Sequence, residues 1–311
     1  MSQIASSGFH NVVDFLAQLT ALERPTIDAR SVVVIAAHPD DEVVGVGGQL
    51  PRLKGVSILH VTDGAPEAMP TGGIAGFSDR ADYADARRRE VEAAVALAGI
   101  PPERVGGFGI ADQRASLLMA ELARRIADCM VDRGIEVALT HAYEGGHPDH
   151  DATAFAVALA AEIVEREGGR RPTVIEFAAY HGFGWRLRRR RPVVHRFLPA
   201  DVIPVLTPGQ GRRGLLGRLM PRAPAAGTLR LTAAEQESKR RMMDCFTSQR
   251  HAMALFRPEV ECFRLAPRYD FTRAPHPGRL NYERRDWGID GPGWRRLVVE
   301  ARAQVLDLAM A

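Results

Sequence analysis

Two short stretches of the chain bring together residue types that do chemistry. His38-Pro39-Asp40-Asp41-Glu42 places four ionisable side chains within five positions, directly after the apolar run Ser31–Ala37. Pro39 restricts His38 to an extended backbone and fixes the turn. Adjacent carboxylates repel one another and are costly to desolvate, so packing gives no reason to set Asp40 beside Asp41. A divalent cation resolves the conflict: His38 and Asp41 can ligate it while Asp40 points elsewhere. The competing explanation is an Asp N-cap for a helix beginning near Glu42, with a solvated His beside it. The second stretch, His147-Pro148-Asp149-His150, follows the apolar run Ile135–Thr140 and a Gly145-Gly146 turn. His147 and His150, three positions apart, can face one point at a helix entrance. Together the stretches offer a metal two imidazoles and one carboxylate, and leave one carboxylate and one imidazole beside it.

Three N/O ligands with an open position suit catalytic zinc, whose bound water falls to a pKa of about 7. The same set serves non-haem Fe(II) oxygenases. The groups left over separate the two. Hydrolysis needs a base beside the attacking water and an acid near the leaving nitrogen, whereas an oxygenase needs a cosubstrate site. Asp40 and His147 fit the hydrolytic requirement.

These residues must be held by regular elements, and the pattern around them alternates. Ser31–Ala37 (SVVVIAA) and Val56–Thr62 (VSILHVT) read as strands buried on both faces of a parallel sheet. Further strands are expected at Arg104–Ile110, Ile135–Thr140 and Thr173–Tyr180. Helices are expected at Asn11–Leu22, Tyr83–Ala98, Ser116–Arg133 and Asp151–Glu167, three of them stopped by Gly99, Gly134 and Gly168. The fold class is therefore α/β and Rossmann-like: a largely parallel sheet with helices on both faces, plus a C-terminal elaboration. In such folds function collects beyond the carboxyl ends of the strands, where both motifs stand. Residues 1–205 read as the core, 206–228 as a Gly/Pro/Arg-rich loop or insertion, and 229–311 as C-terminal helices completing the same domain. One of those helices opens on the capping box Thr232-Ala-Ala-Glu235 and runs to about Phe256. Gly45-x-Gly47-Gly48 lacks the full G-x-G-x-x-G spacing and reads as close packing of a helix in preference to a phosphate turn.

Composition narrows the partners. With 41 Lys+Arg against 38 Asp+Glu and 6% aromatic residues, the chain lacks the basic, aromatic-interleaved face of a nucleic-acid binder. Cys129, Cys245 and Cys262 have no C-x-x-C spacing and suit free thiols in a reducing compartment. Met1–His10 carries no secretory signal, and no apolar run approaches the ~18 residues of a membrane span, so a cytoplasmic protein is expected. The Arg186–Arg191 run reads as a solvated loop, or as a contact for an anionic substrate or a membrane surface, with Leu215–Met220 weakly favouring the latter.

The sequence Ala37-His-Pro-Asp-Asp-Glu42, taken with Gly146-His-Pro-Asp-His150, resembles the zinc-dependent N-deacetylases of the PIG-L/LmbE family. That family acts on N-acetylglucosaminyl-inositol compounds, on precursors of low-molecular-weight thiols and on sugar-containing antibiotics. The resemblance covers Ser31–Tyr180 well and the rest loosely. Weaker matches are Thr62-Asp63-Gly64, Arg88, Glu90, Asp112, Lys239 and Ser248-Gln249. The resemblance implies that His38, Asp41 and His150 hold Zn²⁺ and that Asp40 is the general base. It further implies that His147, as imidazolium, stabilises the oxyanion or protonates the departing amine. Arg88 and Asp112 are the residues it implies for substrate binding, and the substrate is a small amino-sugar conjugate. The Arg-rich insertion and the tail Pro275–Trp294 depart from the pattern. The rival functions are an amidase acting on a larger acyl group or a thiol conjugate, a non-haem iron oxygenase, and a non-catalytic sugar-binding module. The presence of Asp40 argues against the last of these, because a binding protein has no need of a spare base.

Overall fold

The computed structural model describes residues 12–70, 73–74, 76–179, 226–285 and 287–306. Five strands run parallel in the central sheet: β2 (Val32–Ala36), β4 (Ser57–Pro66), β5 (Val105–Asp112), β6 (Val137–His141) and β7 (Thr173–Phe177). Two strands not foreseen from the sequence, β8 (Ala226–Arg230) and β9 (Val260–Leu265), extend it antiparallel beyond β7. The order across the sheet is β5-β4-β2-β6-β7-β9-β8, and a two-residue parallel pair, β1 (Ile27–Asp28) with β3 (Leu53–Lys54), stands apart.

The continuous apolar run of β2 is explained by its central position. Val32 and Val34 enter one core and Val33 and Ile35 the other, all at most 1% exposed. The first core is covered by α1 (Val12–Thr20), α3 (Arg80–Ala96) and α6 (Ala233–Met243), through residues such as Phe15, Val91 and Met242. The second is covered by α4 (Met119–Asp132), α5 (Pro148–Arg166) and α8 (Gly291–Leu306), through Leu122, Phe155 and Trp294. Each such Val, Leu or Phe side chain removed from water contributes about 1.5–3 kcal/mol.

Chain direction across the sheet reverses between neighbours β2 and β6. From β2 the chain proceeds outward through β4 to β5, and β6 begins the other half. The loops after β2 and β6 therefore part at a topological switch point, the place where open α/β sheets bind ligands. Both motifs lie on these loops.

Differences from the sequence reading have local causes. The helix expected from Thr232 to Phe256 stops at Met243 and resumes as a 3-10 turn, Thr247–Gln249, and the short α7, Arg250–Met253. Glu90 of α3 captures this break, accepting from Thr247 Oγ1 (2.8 Å), Ser248 N (2.7 Å) and Ser248 Oγ (2.7 Å). The segment 206–228 is not loop throughout, because β8 begins at Ala226. Residues 229–311 are not helices alone, because β9 belongs to the sheet. The Arg186–Arg191 run, Leu215–Met220 and Met1–His10 lie outside the described residues. No described helix is long and apolar enough to cross a membrane.

Candidate metal centre

The first motif folds into a tight entry to α2 (Asp41–Val46), a helix whose six residues are all buried. Asp40 occupies the N-cap position but makes no side-chain cap bond, so the N-cap explanation of this aspartate fails. Its backbone sits at φ 153°, ψ −26°, a sparsely populated combination of the kind that costs of order 1–3 kcal/mol and clusters at functional sites. Glu42 props the turn from within, accepting the Asp40 N–H (3.1 Å) and pairing with His60 Nε2 (2.9 Å). Thr62 donates from both N (2.8 Å) and Oγ1 (2.9 Å) to the Ala37 carbonyl, locking the end of β2. Gly64, at φ +73°, allows close approach here: a Cβ would stand 2.8 Å from Arg87 Nε and 3.0 Å from Pro39 Cδ.

The second motif begins α5. His147 is its N-cap, with Nδ1 accepting the Asp149 N–H at 3.2 Å, and Pro148 takes the first turn, where a missing N–H costs nothing. His150 follows in the same turn.

Three donor atoms then converge. His38 Nδ1, Asp41 Oδ2 and His150 Nε2 are separated by 3.1, 3.2 and 3.2 Å. Such spacings are the edges of a tetrahedron with bonds of ~2.0 Å, the bond length zinc makes to nitrogen and carboxylate oxygen. The proton positions agree. His38 Nε2 faces Asp112 Oδ1 (3.0 Å) and Asp149 Oδ2 (3.4 Å), so the hydrogen belongs there and a lone pair points from Nδ1 into the triangle. Burial opposes a charge on His38, yet its bonds to Asp112, Asp149 and Asp41 raise its pKa well above the ordinary value, so these surroundings favour positive charge at this position. Burial lowers His150 well below its ordinary pKa, keeping it a neutral donor. The donor set therefore fits a divalent cation.

Around this triangle the expected residues divide. Asp40 lies beside it but turns away, with Oδ2 accepting from Arg87 Nη2 at 3.0 Å. The ring of His147 lies 4.6 Å from that of His38 and 5.4 Å from that of His150. Burial, aided by the nearby charge of His38, lowers its pKa to about 4. Asp112 closes β5 and is the most exposed of the cluster's carboxylates, with 19% of its side chain accessible. It touches His38, so its carboxylate fixes the orientation of that imidazole. Arg88 is not brought to the site: its side chain is 73% exposed and pairs with Glu92. Its buried neighbour Arg87 is the arginine that reaches the cluster.

Sequence reasoning missed three residues here. Arg87 had a signal, because Tyr83, Arg87 and Val91 recur every four residues and all three are buried. Asp149 sits within the second motif, where its carboxylate accepts from the N–H groups of Gln113 (2.6 Å) and Ala115 (3.1 Å) and binds the loop after β5 to α5. His141 ends β6, accepts the Ala37 N–H at Nε2 (2.9 Å) and lies 3.9 Å ring to ring from His150; nothing in its local sequence marks it.

The family model for PIG-L, described as GlcNAc-PI de-N-acetylase, matches residues 33–161, spanning both motifs. A probable N-acetyl-alpha-D-glucosaminyl L-malate deacetylase 2 of Bacillus anthracis is 30% identical over 159 residues, covering 49% of this chain and 68% of that protein. The chain belongs to the PIG-L family. A second PIG-L relative, 1D-myo-inositol 2-acetamido-2-deoxy-alpha-D-glucopyranoside deacetylase 2 of Catenulispora acidiphila, is 30% identical over 168 residues, 45% of this chain and 54% of that one. Among solved structures, the zinc-inhibited form of teicoplanin deacetylase Orf2 superposes with a TM-score of 0.51 at 18% identity, covering 77% of this chain and 98% of that one. That likeness concerns the fold.

Proposed function

We propose that this PIG-L chain is a zinc-dependent N-deacetylase that removes an acetyl group from the nitrogen of an N-acetylglucosamine-type conjugate by hydrolysis. The observation that carries the reading is the convergence of His38 Nδ1, Asp41 Oδ2 and His150 Nε2 beside Asp40, a buried carboxylate that takes no part in the triangle. Curated relatives named as deacetylases of glucosaminyl conjugates support the substrate class.

His38, Asp41 and His150 would hold the zinc ion, which would supply Lewis acidity and make water acidic enough to be deprotonated near neutral pH. The chain's own residues supply the rest. Asp40 accepts the proton of the attacking water and returns it to the departing nitrogen, leaving acetate and a free amine; such a base contributes roughly 10²–10⁴-fold. Arg87 holds that carboxylate away from the ligands. His147 acts as a neutral donor: with Nδ1 occupied by the Asp149 N–H, its hydrogen is on Nε2, available to the carbonyl oxygen as negative charge develops. This revises the imidazolium role implied by the resemblance, which the capping bond and burial both oppose. A flanking base and a flanking hydrogen-bond donor also favour hydrolysis over iron-dependent oxygenation.

The test is acetate release from a panel of N-acetylglucosamine conjugates by zinc-loaded wild type and Asp40→Asn. Acetate from wild type alone is expected. A metal-loaded wild type that releases none from any conjugate would sink the acetyl reading and point to a larger acyl group.

A further inference from the structure

The C-terminal segment that follows β9 lies outside the residues matched by the family model, yet it reaches the cluster. Most of its aromatic residues serve packing: Tyr269, Phe271 and Trp294 surround Tyr143 at ring distances of 5.0–5.6 Å. Trp287 does not join them. Its indole meets the imidazole of His147 with centroids 4.4 Å apart and planes at 48°, and it remains half-buried. The exposed Arg285 stands 5.8 Å from the indole centroid, near the limit of cation–π attraction.

The segment is tied to the turn that presents His147. Asn281 donates from N to the Gly145 carbonyl (2.8 Å) and from Nδ2 to the Gly146 carbonyl (2.9 Å), and Trp294 Nε1 donates to the Pro148 carbonyl (3.3 Å). Trp287 is thus held beside a cluster of imidazoles and carboxylates, with part of its side-chain surface accessible. A pyranose ring matches that surface: its hydroxyls radiate outward, while its axial C–H bonds present an apolar, slightly positive face to the negative face of an indole.

We propose that Trp287 is the platform on which the sugar ring of the substrate rests while its acetamido group faces the metal cluster, so that this segment sets the preference for amino sugars over other amides. The proposal rests on the deacetylase reading above.

The experiment compares zinc-loaded wild type, Trp287→Ala and Trp287→Phe on the methyl glycoside of N-acetylglucosamine and on N-acetylethanolamine, which has the same amide without a ring. Trp287→Ala is expected to raise KM for the glycoside roughly 10-fold with kcat held. Trp287→Phe should restore most of that, and N-acetylethanolamine should not distinguish the three proteins. A fall in kcat on both amides with KM unchanged would mean that Trp287 only packs His147, and would overturn the proposal; so would the absence of any effect. If the wild type hydrolyses neither amide, the deacetylase reading fails, and calorimetric titration with methyl glucosaminide decides the stacking alone. Weaker binding by Trp287→Ala than by wild type would sustain it, and equal binding would overturn it.

Discussion

Arg87 Nη2 donates to Asp40 Oδ2 across 3.0 Å, with 2% and 9% of the two side chains exposed. Burial pushes the Asp40 pKa up to about 6, and the Arg87 charge restrains the rise. A general base works ionised, so the rate falls as pH drops through its pKa. Replacing Arg87 by Met removes the restraint. The acid limb of kcat/KM should therefore move to higher pH, with the largest loss of activity on the acid side and the smallest at alkaline pH. A pH–rate profile of the two proteins measures this. An acid limb that stays in place would show that Arg87 does not govern the charge on Asp40.

The proposed mechanism divides metal binding and proton transfer between neighbouring residues, which can be separated by mutation. Asp40→Asn should keep the bound metal and lose roughly 10²–10⁴-fold in turnover. His150→Ala removes one corner of the triangle and should lose both metal and turnover. Metal analysis of the purified variants decides the matter, and equal loss from both would contradict the assignment.

Much of this centre was legible because its elements announce themselves locally. Val32 to Ala36 is apolar on both faces since helices pack against both sides of β2, and the abrupt arrival of charge at His38 marks the strand's end. The capping box at Thr232 and Glu235 forms as its spacing implies. What stayed hidden depends on the tertiary structure. Strand β9 pairs with β7 across 82 or more intervening positions, with Glu176 and Arg264 joined at 2.7 Å, and no periodicity in its six residues requires a sheet. Arg87 and Arg88 are adjacent letters on one helix, and only the orientation of α3 buries the first and exposes the second. The role of Trp287 follows from the Asn281 bonds to Gly145 and Gly146, which join segments 135 positions apart.

Asp112 offers a choice between two roles with opposite signatures. The resemblance implies contact with substrate hydroxyls, whereas the structure places Oδ1 3.0 Å from Nε2 of His38, a proposed metal ligand. Carboxylates in that position fix the ring and raise its basicity, and their loss typically costs 10–100-fold in metal affinity. Asp112→Asn should accordingly weaken zinc binding by roughly that factor, as read by competition with a chromophoric chelator. A variant with unchanged zinc affinity and a raised KM would return Asp112 to the substrate.

Gly45 ties α2, the helix that opens with Asp41, to the sheet. A Cβ there would overlap Cδ2 of Phe177, a fully buried ring at the end of β7. Phe177 in turn lies 4.8 Å from the ring of His141, which contacts His150 at 3.9 Å. The glycine pattern thus serves close packing, and a methyl group added at Gly45 must displace either α2, which begins at Asp41, or the aromatic column behind His150. Gly45→Ala is expected to cost about 1–3 kcal/mol of stability, the usual penalty for overfilling a packed core, and to weaken metal binding as well. Shortening the opposing side chain should relieve the clash. In Gly45→Ala/Phe177→Leu the stability loss should be smaller than the sum of the two single losses, a coupling measurable by denaturant unfolding of all four proteins. Strict additivity would mean that α2 accommodates the methyl group without pressing on Phe177, and that the ligands are held independently of this contact.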